Sequence, residues 1–368
     1  MKQGYAARAV KIGGFSHVRP VQVGGKFPVV IQSMWKEKLS DGDLPGAAKR
    51  IEALEAMGCG LLRFAVPDTE AAKTLGRLAE MVSMPLCADI HFDYKIAVQC
   101  MDYPIAKIRI NPGNIGGKEK VCLVLEKAAA KGIPIRIGLN AGSLPQDIRL
   151  RVEEGLSTAQ ALAEAALREI SIFEEFGFKN YLVSMKASTI ADTISAGKIL
   201  CRETDTPLHI GVTEAGPLIA GVTRNTAALL ALLAEGIGDT VRVSLSDTME
   251  NEIIAAREII AAAAQLAPDN EKLRRQGVNI ISCPRCGRAG FDTHGFTSRW
   301  MQRLYALDRD ISIAVMGCEV NGPVEAKHAD LGITGAGDKV LIFKHGEIIK
   351  TITADLADTV FEEELGKL

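Results

Sequence analysis

Eight short runs rich in Val, Ile and Leu recur across the first two thirds of the sequence, each followed by a segment of helical period. They read VVIQSM (29–34), LLRFAV (61–66), LCADI (86–90), AKIRIN (106–111), PIRIGLN (134–140), YLVSMK (181–186), LHIGVTE (208–214) and TVRVSLS (240–246). Strands alternating with helices are the pattern of parallel strands joined by crossovers. Most intervals, such as 43–57, 68–81 and 249–266, have room for one helix, which favours closure into a TIM (β/α)8 barrel over an open doubly wound sheet. The open sheet's usual phosphate fingerprint, Gly-x-Gly-x-x-Gly after the first strand, is missing, because Ser33, Met34 and Trp35 occupy that turn. The expected fold class is therefore α/β, with a barrel over 1–266 and a smaller α+β domain over 267–368.

Two additions to the barrel are legible. VKIGG (10–14) and VQVGG (21–25) alternate apolar residues and end in glycine pairs, which suggests a hairpin closing the bottom. Between the fifth and sixth runs, 143–179 is longer than one crossover needs and has a helical period of its own.

Composition narrows the class. With 47% hydrophobic residues and a net charge of −2, a globular protein without a nucleic-acid surface is expected. The opening MKQGYAARAVKIGG lacks the apolar core of a leader, and no long uncharged apolar stretch follows, so the expectation is a cytoplasmic protein with no membrane partner. In that compartment eight cysteines are buried thiols or metal ligands rather than a disulfide framework.

Barrels of this kind place their active sites at the C-terminal ends of the strands. The runs offer Arg63, Asp89 with His91, Arg109 and Asn111, Arg136 and Asn140, Lys186, His209 and Glu214, and Arg242 and Ser244. Four arginines and a lysine at one mouth repel one another unless an anion neutralises them, and guanidinium groups grip phosphate oxygens in pairs. A small polyanionic ligand is expected, against the plainer reading that individual charges form ion pairs inside the barrel. Asp89 could hold an arginine. Glu214 is a candidate proton donor or, in a different class of reaction, the base of an isomerase or lyase. His209, in mid-strand, reads more readily as a core histidine than as an acid or base. The glycine-rich NPGNIGG (111–117) is a weak signal for a phosphate loop.

In the second domain ISCPRCGRAGFD is followed some thirty residues later by AVMGCEVNGPVEA, so Cys283 and Cys286 form a Cys-x-x-Cys pair with Cys318 as a distant third thiol. Three thiols leave one ligand position open. A zinc knuckle completed by His294 or His328 is one solution, and would make the chain a zinc-stabilised binder of phosphate ligands. An iron–sulfur cube with an open or carboxylate-filled corner better suits redox chemistry. Cys59, Cys87, Cys100, Cys122 and Cys201 stand singly in apolar segments and read as small hydrophobes.

Taken together, IQSM, KIRINPGNIG, VSMKAS, LHIGVTEAG, GIGDTVRVSLS, SCPRCGR and MGCEVNGPVEA make the chain resemble, over nearly its whole length, the bacterial 4-hydroxy-3-methylbut-2-enyl diphosphate synthase family, also called IspG or GcpE. The resemblance implies reductive opening of 2-C-methyl-D-erythritol 2,4-cyclodiphosphate with loss of water, in the non-mevalonate route to isoprenoids. It implies a [4Fe–4S] cluster held by Cys283, Cys286, Cys318 and Glu325, and electrons from flavodoxin or ferredoxin. It assigns the diphosphate to Arg63, Arg109, Arg136, Lys186 and Arg242, with Asn140, Ser244 and His209, and turns Asp89 and Glu214 toward the reacting ring. It also implies a homodimer. The chain departs from the family pattern at Trp35-Lys36-Glu37, at Thr223-Arg224, and at Val324, where a glycine is usual.

Overall fold

The structure, a computed structural model, describes residues 6–274, 277–320 and 322–368. Arg275 and Gln276, early in the expected second domain, Asn321 of the second cysteine motif and the first five residues lie outside them. The chain separates into two units, Met1–Arg275 and Gln276–Leu368.

All eight runs form strands of one sheet: Val30–Met34, Leu61–Ala65, Leu86–Ile90, Lys107–Ile110, Ile135–Asn140, Tyr181–Lys186, His209–Ile210 and Thr240–Val241. Neighbours pair in parallel in chain order, and Thr240 returns to pair with Val30. A parallel bridge between Val183 and Leu208 closes the ring. Pro85, Pro134 and Pro207 stand just before three of the strands, where a missing N–H is tolerated. Their carbonyls still accept from Leu62, Ile108 and Val183 of the adjacent strand, carrying the ladder to the barrel's lower rim.

The last two strands are shorter than the runs that encode them. Arg242 N still donates to Ile210 O at 3.1 Å, but farther on side chains take over as partners: Asn225 Oδ1 accepts from Val212 N at 3.2 Å, and Glu252 Oε1 accepts from Leu245 N at 3.0 Å. Side-chain partners free the backbone to turn away from the sheet.

Helices follow the strands and start where side chains can cap them. Asp68, Thr189 and Thr248 each accept a backbone N–H of the first turn that has no carbonyl partner. The long insertion holds helices Gln146–Glu153 and Thr158–Glu175, the second opened by a capping box between Ser157 and Gln160. Below the barrel, Val10–Ile12 and Val21–Val23 pair antiparallel and bury Val10, Ile12, Val21 and Val23 against Leu61, Ala106 and Leu182. The stretch after helix Met249–Leu266 packs back on the barrel through Lys272, whose carbonyl accepts from Val29 N and whose Nζ lies 2.6 Å from Asp239.

The second unit is a five-stranded sheet. Asn279–Ser282, Ser312–Met316 and Leu331–Ala336 run parallel, and Lys339–Lys344 and Glu347–Ile352 add antiparallel. Alternation gives the sheet two faces. Ile313, Val315, Ile333 and Ile342 pack with Phe296, Trp300 and Phe361 of helices Thr293–Tyr305 and Ala357–Leu365. Ala314, Met316 and Phe343 face the other way, against Ala326, Ala329 and Cys283.

Candidate active site and cysteine turn

Period-two alternation along the strands sends one set of side chains to the helices and the other to the barrel interior. Ile108 and Ile110 flank Arg109, and Ile135 and Ile137 flank Arg136. As a result Arg63, Arg109, Arg136 and Lys186 are all buried, with Arg136 only 1% exposed. Arg109 Nη1 donates to Asp89 at 2.9 Å and its Nη2 to the Gly138 carbonyl at 3.1 Å. A Cβ at position 138 would lie 2.2 Å from Arg109 Nε, so the glycine is what leaves room for the guanidinium. Arg63 Nε stands 3.4 Å from Asp89 Oδ2, and Arg136 donates to Ser184 Oγ.

The charges do not balance. Arg63, Lys107, Arg109, Arg136, Lys186 and Arg242 gather around Asp89 and Glu252, while the barrel's other buried carboxylate, Asp239, pairs with Lys272. Burial lowers the proton affinity of Lys186 and Arg136 well below the usual range, and the neighbouring guanidinium groups deepen the effect. Lys107, donating to Gln32 Oε1 at 2.6 Å, is brought down to about 8 by the same burial. Burial alone would raise the Asp89 carboxyl, but His91, Arg63 and Arg109 together hold it below the ordinary range. Arg63 Nε, Arg109 Nε, Arg242 Nε, and both Nε and Nη2 of Arg136 are buried without a hydrogen-bond acceptor. Such donors are costly to leave unmatched, and an anion with several oxygens would satisfy them together.

His209 is buried, with Nδ1 2.8 Å from Thr240 Oγ1 and Nε2 without a partner. Burial, with Arg136 and Lys186 nearby, lowers its pKa well below the usual value, which leaves the ring neutral near pH 7. Asn111 donates to Ser143 Oγ at 3.0 Å, and Ser143 in turn bonds the Asn140 backbone, so the loops after two adjacent strands are tied together. The NPGNIGG segment forms only the short helix Pro112–Ile115. Ser244 is half-buried after the last strand. Glu214 is exposed on its loop and has φ +53°, a left-handed conformation that few non-glycine residues adopt. Asp89 is engaged by two arginines, as the reading from the residues expects.

Lys107, Gln32 and Glu252 belong to this network although the strand-end reading passes over them. Lys107 was recoverable from alternation with Arg109. Glu252 sits in the helix after the eighth strand, where nothing in the local pattern separates it from a solvent-facing glutamate.

The departure residues have defined partners. Trp35 stacks on Phe64 with ring centroids 5.4 Å apart, Lys36 reaches Glu252 at 3.0 Å, and Glu37 pairs with Arg50 at 2.6 Å. Arg224 Nη1 donates to the Ala215 carbonyl at 2.8 Å, bracing the loop that carries Glu214.

In the second unit, Cys283 follows strand Asn279–Ser282, and Cys318 lies just past the neighbouring strand Ser312–Met316. The pairing continues beyond the strands, with Cys283 N donating to Val315 O at 2.9 Å and Gly290 N to Gly317 O at 2.8 Å. A Cβ on Gly317 would stand 3.7 Å from Cys283 Sγ, so that sulfur lies close beside the backbone leading to Cys318. Cys286 is exposed on the same turn, whose Arg285 has φ +72°. Thiols from two adjoining strand ends are a donor set suited to an iron–sulfur cluster. Among the described residues, no three His, Cys, Asp or Glu side chains converge closely enough to hold a single ion. Glu325 is exposed, and Val324 before it has no left-handed φ, so this backbone does not require the usual glycine there.

The isolated cysteines are mostly buried. Burial pushes the thiols of Cys59 and Cys100 up to about 12, which keeps them protonated and unreactive. Among the described residues, no helix is long and apolar enough to cross a membrane.

Comparison with known proteins agrees with both halves of this description. The GcpE TIM-barrel domain matches residues 14–257, and the GcpE protein C-terminal domain matches residues 279–367. A Treponema pallidum protein named 4-hydroxy-3-methylbut-2-en-1-yl diphosphate synthase (flavodoxin) is 48% identical over 99% of this chain and 92% of its own. A Treponema denticola protein of the same name is 49% identical over 97% and 95%, and one from Caldicellulosiruptor saccharolyticus is 43% identical over 97% of each. With both family domains present in order and relatives this similar along almost the full length, the chain belongs to the GcpE family.

Proposed function

We propose that this chain is an iron–sulfur oxidoreductase that opens the ring of 2-C-methyl-D-erythritol 2,4-cyclodiphosphate to give 4-hydroxy-3-methylbut-2-enyl diphosphate, taking up two electrons and two protons and releasing one water. The observation that carries this reading is the excess of buried cations in the barrel mouth, with guanidinium N–H groups left without acceptors. A cyclic diphosphate supplies acceptor oxygens for those N–H groups and part of the negative charge that such a mouth lacks. The names of the relatives support the substrate and reaction, and name flavodoxin as the electron donor.

In this reading Arg63, Arg109, Arg136, Lys186 and Arg242 bind the diphosphate, while Asn140, Ser244 and neutral His209 contribute hydrogen bonds. Asp89 holds Arg63 and Arg109 in place and faces the ring. Glu214, on its strained loop, gives a proton to the ring. Cys283, Cys286, Cys318 and Glu325 would hold a [4Fe–4S] cluster, which when bound would supply electrons singly. Flavodoxin or ferredoxin delivers those electrons, and the active form is a cytoplasmic homodimer.

The test is iron and sulfide analysis of the anaerobically purified protein together with turnover of the cyclic diphosphate. Four irons and four sulfides per chain with turnover are expected. Stoichiometric zinc without sulfide would overturn the cluster, and a cluster without turnover would overturn the substrate.

A further inference from the structure

The segment that carries Arg242 and Ser244 is a lightly paired part of the barrel rim. Its strand is paired in the ladder through Thr240 and Val241, and Arg242 N adds one more bond, to Ile210 O at 3.1 Å. Past that point Glu252, 1% exposed in its side chain, takes over the role of the ladder. Its Oε1 accepts from Leu245 N at 3.0 Å and Arg242 Nη2 at 3.3 Å and pairs with Lys36 Nζ at 3.0 Å, and its Oε2 accepts from Ser33 Oγ at 2.8 Å. Lys36 also donates to the carbonyls of Leu245 and Asp247. Of the three N–H bonds of its ammonium, two go to these carbonyls, and the charge is matched by Glu252 at 3.0 Å. Lys36 is therefore not an additional hand for the anion. It fastens the loop after the first strand to the loop after the last.

We infer that Glu252 and Lys36 are positioning residues, a clasp across the seam between the first and last strands that fixes Arg242 and Ser244 where an anion meets them. This rests on the reading of the mouth as a phosphate site. The sign of one substitution separates positioning from simple electrostatics. Glu252→Gln removes a negative charge from a cationic mouth, so an effect of field alone tightens anion binding. Loss of the clasp weakens it, because Arg242 then forms its charged hydrogen bonds from a looser starting position.

The measurement is calorimetric titration of the full-length, anaerobically purified protein with inorganic pyrophosphate. For Glu252→Gln, binding roughly tenfold weaker than wild type is expected, the size of one charged hydrogen bond. Lys36→Met is expected to weaken binding by a similar factor, with the double variant no worse than the weaker single, because both break one clasp. Equal or tighter binding by a folded Glu252→Gln protein, or additive losses in the double, would overturn the inference while leaving the phosphate site standing. Absence of pyrophosphate binding by the wild type would remove the phosphate site itself and the inference with it. Should Glu252→Gln fail to fold, Lys36→Met decides through salt. An unchanged salt dependence supports positioning, and a shallower one, the mark of a lost direct phosphate contact, overturns it.

Discussion

In the barrel mouth, Arg109 and Arg136 stand buried on strands paired on both sides, whereas Cys286 is exposed on a turn and Cys318 lies past the end of its strand. The mouth is organised before any ligand arrives, at the cost of cations held in a poorly solvated interior. The cysteine turn carries less regular pairing, with Cys286 exposed and Arg285 left-handed. In the function proposed above, geometry that must grip a soluble anion on each turnover is built into the sheet. Geometry that meets its group once can be left to that group to complete.

The sharpest way to break this contrast is Cys318→Ala, which should abolish iron and sulfide retention in anaerobic protein while barrel binding of pyrophosphate stays within about twofold, measured by metal analysis and calorimetry. In the mouth, Arg136→Met should weaken pyrophosphate roughly a hundredfold. The same change should stabilise the ligand-free protein, by about 1–3 kcal/mol in urea unfolding, because an incompletely matched buried charge is replaced by an apolar chain. A destabilised Arg136→Met protein would mean the mouth is not strained by its own charge.

Lys107 gives the mouth a pH signature. Its folded value is about 8 against an ordinary 10.5, so between those values the unfolded chain holds the extra proton and stability rises with pH. The gain amounts to roughly 3 kcal/mol across that window and should disappear in Lys107→Met, as followed by thermal unfolding at constant ionic strength. The smallest effect is expected at Val324→Gly. That residue is exposed and has no left-handed φ, so stability should change by less than about 0.5 kcal/mol and iron content should not change.

How much of this was readable beforehand follows the same division. The eight runs, the hairpin beneath them and the helix of the insertion are visible because β-branched alternation and helical period are local properties of the chain. The lengths of the last two strands are not, since they depend on Asn225 and Glu252, which reach the backbone from later helices. Arg63, Arg109, Arg136 and Lys186 could be picked out by position at strand ends. Their partner Lys107 needed only the same alternation carried one step back, whereas Glu252 needed the fold. For the cysteines, spacing conveys which residues belong together but not the loop conformation, as the left-handed Arg285 illustrates.

The hairpin under the barrel has a consequence for the order in which the chain assembles. Its first strand begins at Val10, yet its apolar face rests on Leu61, Ala106 and Leu182, and nearby Arg8 is anchored to Asp205 at 2.6 Å. A chain emerging from the ribosome exposes that amphipathic segment ahead of the strands it packs on and cannot seat it until some two hundred residues have followed. The plug is thus made ahead of its seat and locks late, and in the interval its Val and Ile side chains stay exposed.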